Sequence, residues 1–267
     1  MSVLVLVGIG VVTGLTTVLF GFGGGFATVP VIVWADAGLG PSAAHVAVAT
    51  SSVVMVVNAG VATAATDRRI LRQLRNSTGL LLLLAAGGAA GTLAARHAPG
   101  PVTQWGFVIY VLLTIADLLL RRGFFRPRAE TPAAKGAIPV WLGVPIGAVA
   151  AFLGVGGSIM TVPLLRRSGR DMRTATSLAN PLTLAIAVPA MAIFLSQGTR
   201  LAPGAGFFLV GPVDLGAAAA LLAGAVPVIM VLRRRRPRLP DRGYAWTYLL
   251  LLIVVTIAMI IAAVRAR

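Results

Sequence analysis

Gly14-Leu-Thr-Thr-Val-Leu-Phe-Gly21-Phe22-Gly23-Gly24-Gly25-Phe26-Ala27-Thr28-Val29-Pro30 is the stretch on which the reading of this chain turns. It recurs without gaps as Gly147-Ala-Val-Ala-Ala-Phe-Leu-Gly154-Val155-Gly156-Gly157-Ser158-Ile159-Met160-Thr161-Val162-Pro163. Seven positions are identical, including Gly-x-Gly-Gly and the closing Thr-Val-Pro. A second match follows each copy, with Ala49-Thr50-Ser51 answered by Ala175-Thr176-Ser177. Beyond these, 76–120 aligns more loosely with 216–264. The chain therefore reads as a duplication, each half opened by a long apolar segment with a glycine-rich interruption.

Composition names the solvent around those halves. Of 267 residues, 58% are hydrophobic and 11% charged, against about 25% charged in an ordinary soluble domain. So few charges cannot cover a water-facing surface, and the bilayer takes that place. Apolar segments run over 2–34, 41–65, 77–95, 101–120, 137–165, 174–195, 216–232 and 243–264. None alternates like a strand, and most are long enough to cross a bilayer as helices. The first has neither a basic leader nor a small-x-small cleavage site, so it is read as structure. One all-α polytopic membrane domain is expected.

The net charge of +16 would ordinarily raise nucleic-acid binding. Here the cations sit in short clusters between apolar runs, as in Arg233 to Arg236, so no nucleic-acid partner is expected. The lipid bilayer is the expected neighbour. If all eight segments cross, Lys and Arg divide 12 to 11 between the faces, which is no bias. If 2–34 and 137–165 instead return to the side they left, the loops 67–75, 121–136, 166–173 and 233–242 share one face. They then hold 19 of the 23 Lys and Arg, leaving Arg96, Arg200, Arg265 and Arg267 opposite.

Positive-inside behaviour favours the second arrangement. Each half becomes a re-entrant or bent helical hairpin plus three transmembrane helices, and because three is odd the halves are inverted. Repeat one is 1–120, a cytoplasmic linker 121–136, and repeat two 137–267. Residues 2–20 could span alone at about 1.5 Å per residue, so the hairpins are either shallow loops or deep bends.

A helix broken inside an apolar segment frees backbone N–H and C=O groups, tolerable only where they are buried in protein or line a polar cavity. Glycine permits the bend and lets a ligand approach the backbone. Half-helices over Phe26 to Pro30 and Ile159 to Pro163 would each present an N-terminus with unpaired donors and a positive dipole end, suited to an anion. The candidate substrate-binding residues are therefore Gly23, Gly24, Gly25, Thr28 and Pro30 with Gly156, Gly157, Ser158, Thr161 and Pro163. Thr50, Ser51, Thr176, Ser177 and Asn180 add hydroxyls and an amide able to donate to an oxyanion. The plainer reading keeps those hydroxyls on their own helix carbonyls and the glycines in helix packing.

Among the acidic residues, Asp117 stands four before Arg121, the spacing of a helical ion pair. Asp214 either caps the helix beginning near Gly216 or takes part in coupling, and His45 is structural, cavity-lining or a coupling candidate. Asp36 and Asp67 are placed in loops. There are no cysteines and two histidines, so no metal site, cofactor or catalytic constellation is expected, and the chain is not read as an enzyme.

With Gly211-Pro-Val213-Asp214-Leu215 added to the paired glycine and Ala-Thr-Ser motifs, the chain resembles the sulfite exporter TauE/SafE family, also called the TSUP permeases, over essentially its whole length. The resemblance implies a multi-pass permease of the bacterial inner membrane for sulfite, thiosulfate or organosulfonates such as sulfoacetate. It implies a pathway lined by Gly23, Gly24, Gly25, Pro30, Gly156, Gly157, Ser158 and Pro163, with Thr50, Ser51, Thr176 and Ser177 behind them. Ser158 departs from Gly25 of the first copy, which makes the two half-sites unequal. The function expected is secondary transport of a small sulfur-containing anion by alternating access between inverted repeats. Its rivals are a transporter or passive channel for another small anion, such as a carboxylate, and a membrane partner protein that transports nothing. The anion, the direction, the coupling ion and the oligomeric state are not read from the sequence.

Overall fold

The computed structural model describes residues 2–35, 42–121, 124–125, 138–197, 209–234 and 241–265. Asp36, Arg200, Arg267 and the remainder of the basic loops 121–136 and 233–242 lie outside the described residues. The chain forms α1 (Val3–Phe20), α2 (Gly25–Ala35), α3 (Ala43–Ala64), a short α4 (Arg68–Leu71), α5 (Thr78–Ala95) and α6 (Gly100–Leu120). It continues as α7 (Gly143–Leu153), α8 (Ser158–Arg167), α9 (Met172–Leu195), α10 (Leu215–Arg234) and α11 (Asp241–Arg265). Between α9 and α10, β1 (Leu209–Val210) and β2 (Val213–Asp214) pair antiparallel.

Seven of these helices, α1, α3, α5, α6, α9, α10 and α11, are long and apolar enough to cross a membrane. In lipid the backbone must satisfy itself within the helix, and the uninterrupted apolar runs allow that. Leu113, Leu250 and Val254 remain well exposed at 65%, 60% and 54%, as befits side chains facing lipid. The protein is thus a multi-pass all-α membrane protein.

Polar residues appear where helices begin. Asp67 accepts from the Arg69 N–H at 2.8 Å, Asp171 from Thr174 N–H at 3.2 Å and Asp214 from Ala217 N–H at 2.9 Å. Each carboxylate satisfies one of the donors a helix leaves open at its N-terminus. Asp67 lies in the connection between α3 and α4, as expected, and caps α4 from there, while Asp214 takes the capping role.

Small residues set the closest helix pairings. A methyl group added at Gly14 would lie 2.6 Å from the Ala225 carbonyl oxygen, and one at Gly10 would run into the Leu221 backbone. The same holds for Gly143 and Gly147 of α7 against Leu83, Leu84 and Gly88 of α5. Gly10 and Gly14 occupy the register of Gly143 and Gly147, so the first helix of each half uses equivalent glycines to approach a helix of the other half. Here the packing role of glycine in membranes operates.

Contacts also fix helix directions. Residue numbers rise together along α1 and α10 (Gly10 to Leu221, Gly14 to Ala225) and along α5 and α7 (Gly87 to Val144, Gly91 to Ala148). Thr50 bonds the backbone N–H of Asp214 at the start of α10, and Thr66 the Arg233 guanidinium at its end, so α3 runs with α10. His45, at the start of α3, meets Phe194 at the end of α9, ring centroids 5.6 Å apart. Arg170, just ahead of α9, reaches Gln73, just ahead of α5, at 3.3 Å. Thus α1, α3 and α10 run one way and α5, α7 and α9 the other. Each broken segment returns to the face it left before the next long helix begins.

Candidate functional site

Both interruptions fall where the sequence places them, and left-handed glycines make them. Gly21 ends α1 with φ +72° and Gly154 ends α7 with φ +68°. Gly23 and Gly24 follow with φ +62° and +90°, and Gly156 with φ +73°. A side chain in that region costs about 1–2 kcal/mol, so glycine is the residue that makes this turn without strain. Gly21 to Phe26 and Gly154 to Ile159 are buried throughout. The irregular backbone is sheltered by protein, the condition under which a membrane helix may break.

The two breaks meet. A methyl group at Gly25 would stand 2.7 Å from the Gly154 carbonyl oxygen, and one at Gly156 would stand 3.4 Å from the Phe22 carbonyl oxygen. Two side chains fill the seam. The Thr183 methyl of α9 lies 2.9 Å from the methyl position of Gly23 and 3.0 Å from that of Gly156. Met55 of α3 lies against Gly23, Gly25 and Gly156. Under the first break, Phe22 packs between Phe26 and Tyr248 at 4.9 and 5.1 Å. Pro163 cannot donate to the Ile159 carbonyl four residues earlier, and the Tyr248 hydroxyl donates to that oxygen instead, at 3.3 Å.

Around the seam, buried polar groups lack partners. Both side-chain polar atoms of Asn58 are without a hydrogen bond among the described residues, as are Ser158 Oγ, Thr161 Oγ1, Asn180 Oδ1 and Thr183 Oγ1. All five residues are 0% exposed. Leaving such a group unsatisfied costs about 1–3 kcal/mol each, so a cluster of them requires a physical account. Asn58 abuts Gly24, whose added methyl would lie 2.5 Å from Nδ2, and Thr161 borders Gly157 at 3.9 Å. All these side chains are neutral: they offer hydroxyl and amide dipoles beside two half-helix N-termini. That combination can hold a small anion without an opposing cation.

The expected site residues divide into two groups. Gly23, Gly24, Gly25, Gly156, Gly157, Ser158, Thr161 and Asn180 lie at or beside the seam. The others are engaged elsewhere. Thr28 donates to Gly24 O at 2.8 Å and Thr176 to Arg173 O at 3.2 Å, each within its own turn. Ser51 donates to Val48 O at 2.7 Å and also reaches Gly154 O at 3.0 Å, bracing the second break from α3. Thr50 accepts from the Asp214 N–H at 2.9 Å. Ser177 is buried one turn before the seam residues of α9, and Pro30 and Pro163 sit within α2 and α8. His45 stands at the start of α3, and Asp214 meets α3 at Thr50, beside the Ser51 that braces the second break. Asp117 pairs with Arg121 at 3.1 Å and more closely with Arg167 at 2.7 Å.

Asn58, Met55 and Thr183 are the lining residues that sequence reasoning passed over. The signal for Asn58 was present: it is the one amide in α3, and a buried amide in a membrane span is costly enough to imply use. Among the described residues, no group of three His, Asp or Glu side chains could hold a metal ion. A family model described as Sulfite exporter TauE/SafE matches residues 6–259. No curated protein and no solved structure gives a match.

Proposed function

The chain belongs to the sulfite exporter TauE/SafE family, and on that premise we propose that it is a secondary permease for small sulfur-containing anions such as sulfite, thiosulfate or organosulfonates. The observation that carries the proposal is the seam itself, where five neutral, buried side chains with unpaired polar atoms gather at two facing glycine breaks. Neutral donors at half-helix ends can stabilise an anion in transit without gripping it so tightly that release fails.

Alternating access is the motion this architecture suits. Repeats 1–120 and 137–267, joined by 121–136, are read as inverted, a reading supported by the opposite directions of α3 and α9 and by the returning broken segments. Rocking one repeat against the other would open the seam to each face in turn. The loops 67–75, 121–136, 166–173 and 233–242 are assigned to the cytoplasm by their Lys and Arg, and the membrane to the bacterial inner membrane by family. Asp214, bonded to Thr50, and His45, at the start of α3, are the coupling candidates.

Flux in proteoliposomes tests the proposal, with sulfite, thiosulfate, sulfoacetate, taurine, sulfate and acetate compared. Uptake of a sulfur anion by the natural chain, lost in correctly folded Gly24→Leu and Gly157→Leu proteins, is the expected result. Unchanged flux in both variants would move the pathway away from the breaks. Acetate carried as well as sulfite would replace the sulfur anion by a carboxylate.

A further inference from the structure

A second cavity lies outside the seam, between α6, α7 and α8, with a volume of about 420 Å3. Its walls are almost wholly apolar, from Leu113 on one side to Pro145 and Met160 on the others. It opens sideways where Leu113 is 65% exposed, toward the lipid. At the end shared with the basic loops it is closed by Asp117, Arg121 and Arg167.

Charge at that end is unbalanced. One carboxylate, Asp117, faces two guanidiniums, Arg121 at 3.1 Å and Arg167 at 2.7 Å. Arg121 keeps 76% of its side chain exposed, and the buried Arg167 Nε has no hydrogen-bond partner among the described residues. Further in, Tyr110 lines the same cavity, 7% exposed, with a hydroxyl likewise unpartnered. The cavity thus offers a surplus positive charge at its closed end and a hydrocarbon slot beyond.

We propose that this groove binds one anionic phospholipid, its acyl chain lying between α6, α7 and α8 and its phosphate against Arg121 and Arg167. An inorganic or short organic anion would leave the apolar walls uncovered. A zwitterionic lipid would fill the slot without answering the surplus charge. Basic pockets between membrane helices on the positively charged side take anionic headgroups for this reason. One wall of the groove is α8, whose N-terminus forms the second break, so the lipid touches a half-helix of the seam.

The chain has no cysteine, so a single introduced thiol can be labelled without background. Leu113→Cys carries a bimane fluorophore at the groove and Ile257→Cys, 52% exposed on α11, reports ordinary lipid contact. Each protein is reconstituted into phosphatidylcholine vesicles containing an equal mole fraction of brominated phosphatidylglycerol or brominated phosphatidylcholine. Quenching at position 113 is expected to favour the brominated phosphatidylglycerol about fivefold, the scale of one basic residue meeting an anionic lipid. Position 257 should show no preference. Arg121→Glu, at a side chain 76% exposed, should abolish the preference at 113. Equal quenching by the two lipids at 113, the same preference at 257, or a preference that survives Arg121→Glu would each overturn the proposal.

Discussion

The two glycine breaks share an ancestor pattern and a seam, yet they are built differently. The arm before the first, α1, has 18 residues, about 27 Å at 1.5 Å per residue; the arm before the second, α7, has 11, about 16 Å. The first therefore follows a helix long enough to cross the bilayer, while the second follows one too short to do so alone. The first break uses three left-handed glycines, Gly21, Gly23 and Gly24, and the second uses two, Gly154 and Gly156. Gly157, in the register of Gly24, has an ordinary helical φ of −75°. Even the Gly25 and Ser158 difference has a cause: a side chain at Gly25 would strike the Gly154 carbonyl, whereas Ser158 fits, its hydroxyl unpaired at the seam. The first break bends harder and is packed against backbone. The second is gentler and contributes more polar side chains.

Exchanging the differing residues should expose that asymmetry most strongly. Gly25→Ser forces a side chain into a filled backbone contact and is expected to destabilise by about 3 kcal/mol, with flux lost. Ser158→Gly should leave thermal unfolding in detergent within about 1 kcal/mol of the natural chain. Equal effects would mean that the two breaks are interchangeable after all.

Asn58→Leu separates binding from folding. It removes an amide with no partner, so the melting temperature should hold or rise, while anion flux falls about tenfold, the loss of one charge-assisted hydrogen bond of ~1.5 kcal/mol. Full flux in this variant would remove Asn58 from the pathway. Next in size, Gly24→Ala should cost about 1–2 kcal/mol for its left-handed backbone, against less for Gly157→Ala, where the nearest obstacle is the flexible end of Ile186 at 2.6 Å. Chemical denaturation of the pair would reverse the assignment if Gly157→Ala proved the worse.

The smallest effect belongs to Asp214, just ahead of the α10 span. Burial raises its carboxyl above the ordinary carboxylate range, partly offset by the N–H groups of Ala217 and Gly216. The folded protein then holds this proton more tightly than the unfolded chain. The contribution is fully present below the unfolded pKa and is lost as pH rises through the folded one. Asp214→Asn, which keeps the cap, should flatten that part of the melting-temperature profile, read from acid to neutral pH. A profile of unchanged slope would assign the titration to another group.

Much of the fold was legible because membranes write it in hydrophobicity. Six of the seven spans are apolar runs expected to cross; the seventh, α1, is the leading arm of an expected hairpin and is long enough to cross by itself. The breaks were legible because glycine in an apolar run has few uses, and two matched copies narrow them further. Individual hydroxyls were not. Thr28 and Thr176 spend theirs on their own helix carbonyls, the commonest use of a membrane threonine, and nothing in the residue type distinguishes them from Thr161 and Thr183. Met55 was hidden for the opposite reason, since a methionine in an apolar helix carries no mark of the seam it fills. Likewise Gly10, Gly14, Gly143 and Gly147 differ from the break glycines only in what they touch, and their partners lie in the other half of the chain.

That last pairing bears on how the protein is made. Gly10 and Gly14 of α1 seat against Leu221 and Ala225 of α10, so α1 completes its packing against a helix made about 200 residues later. At about 5–20 residues per second, α1 waits on the order of ten seconds or more in the membrane with its small-residue face toward lipid. A nascent chain cut short before α10 would carry that face of α1 without its partner helix.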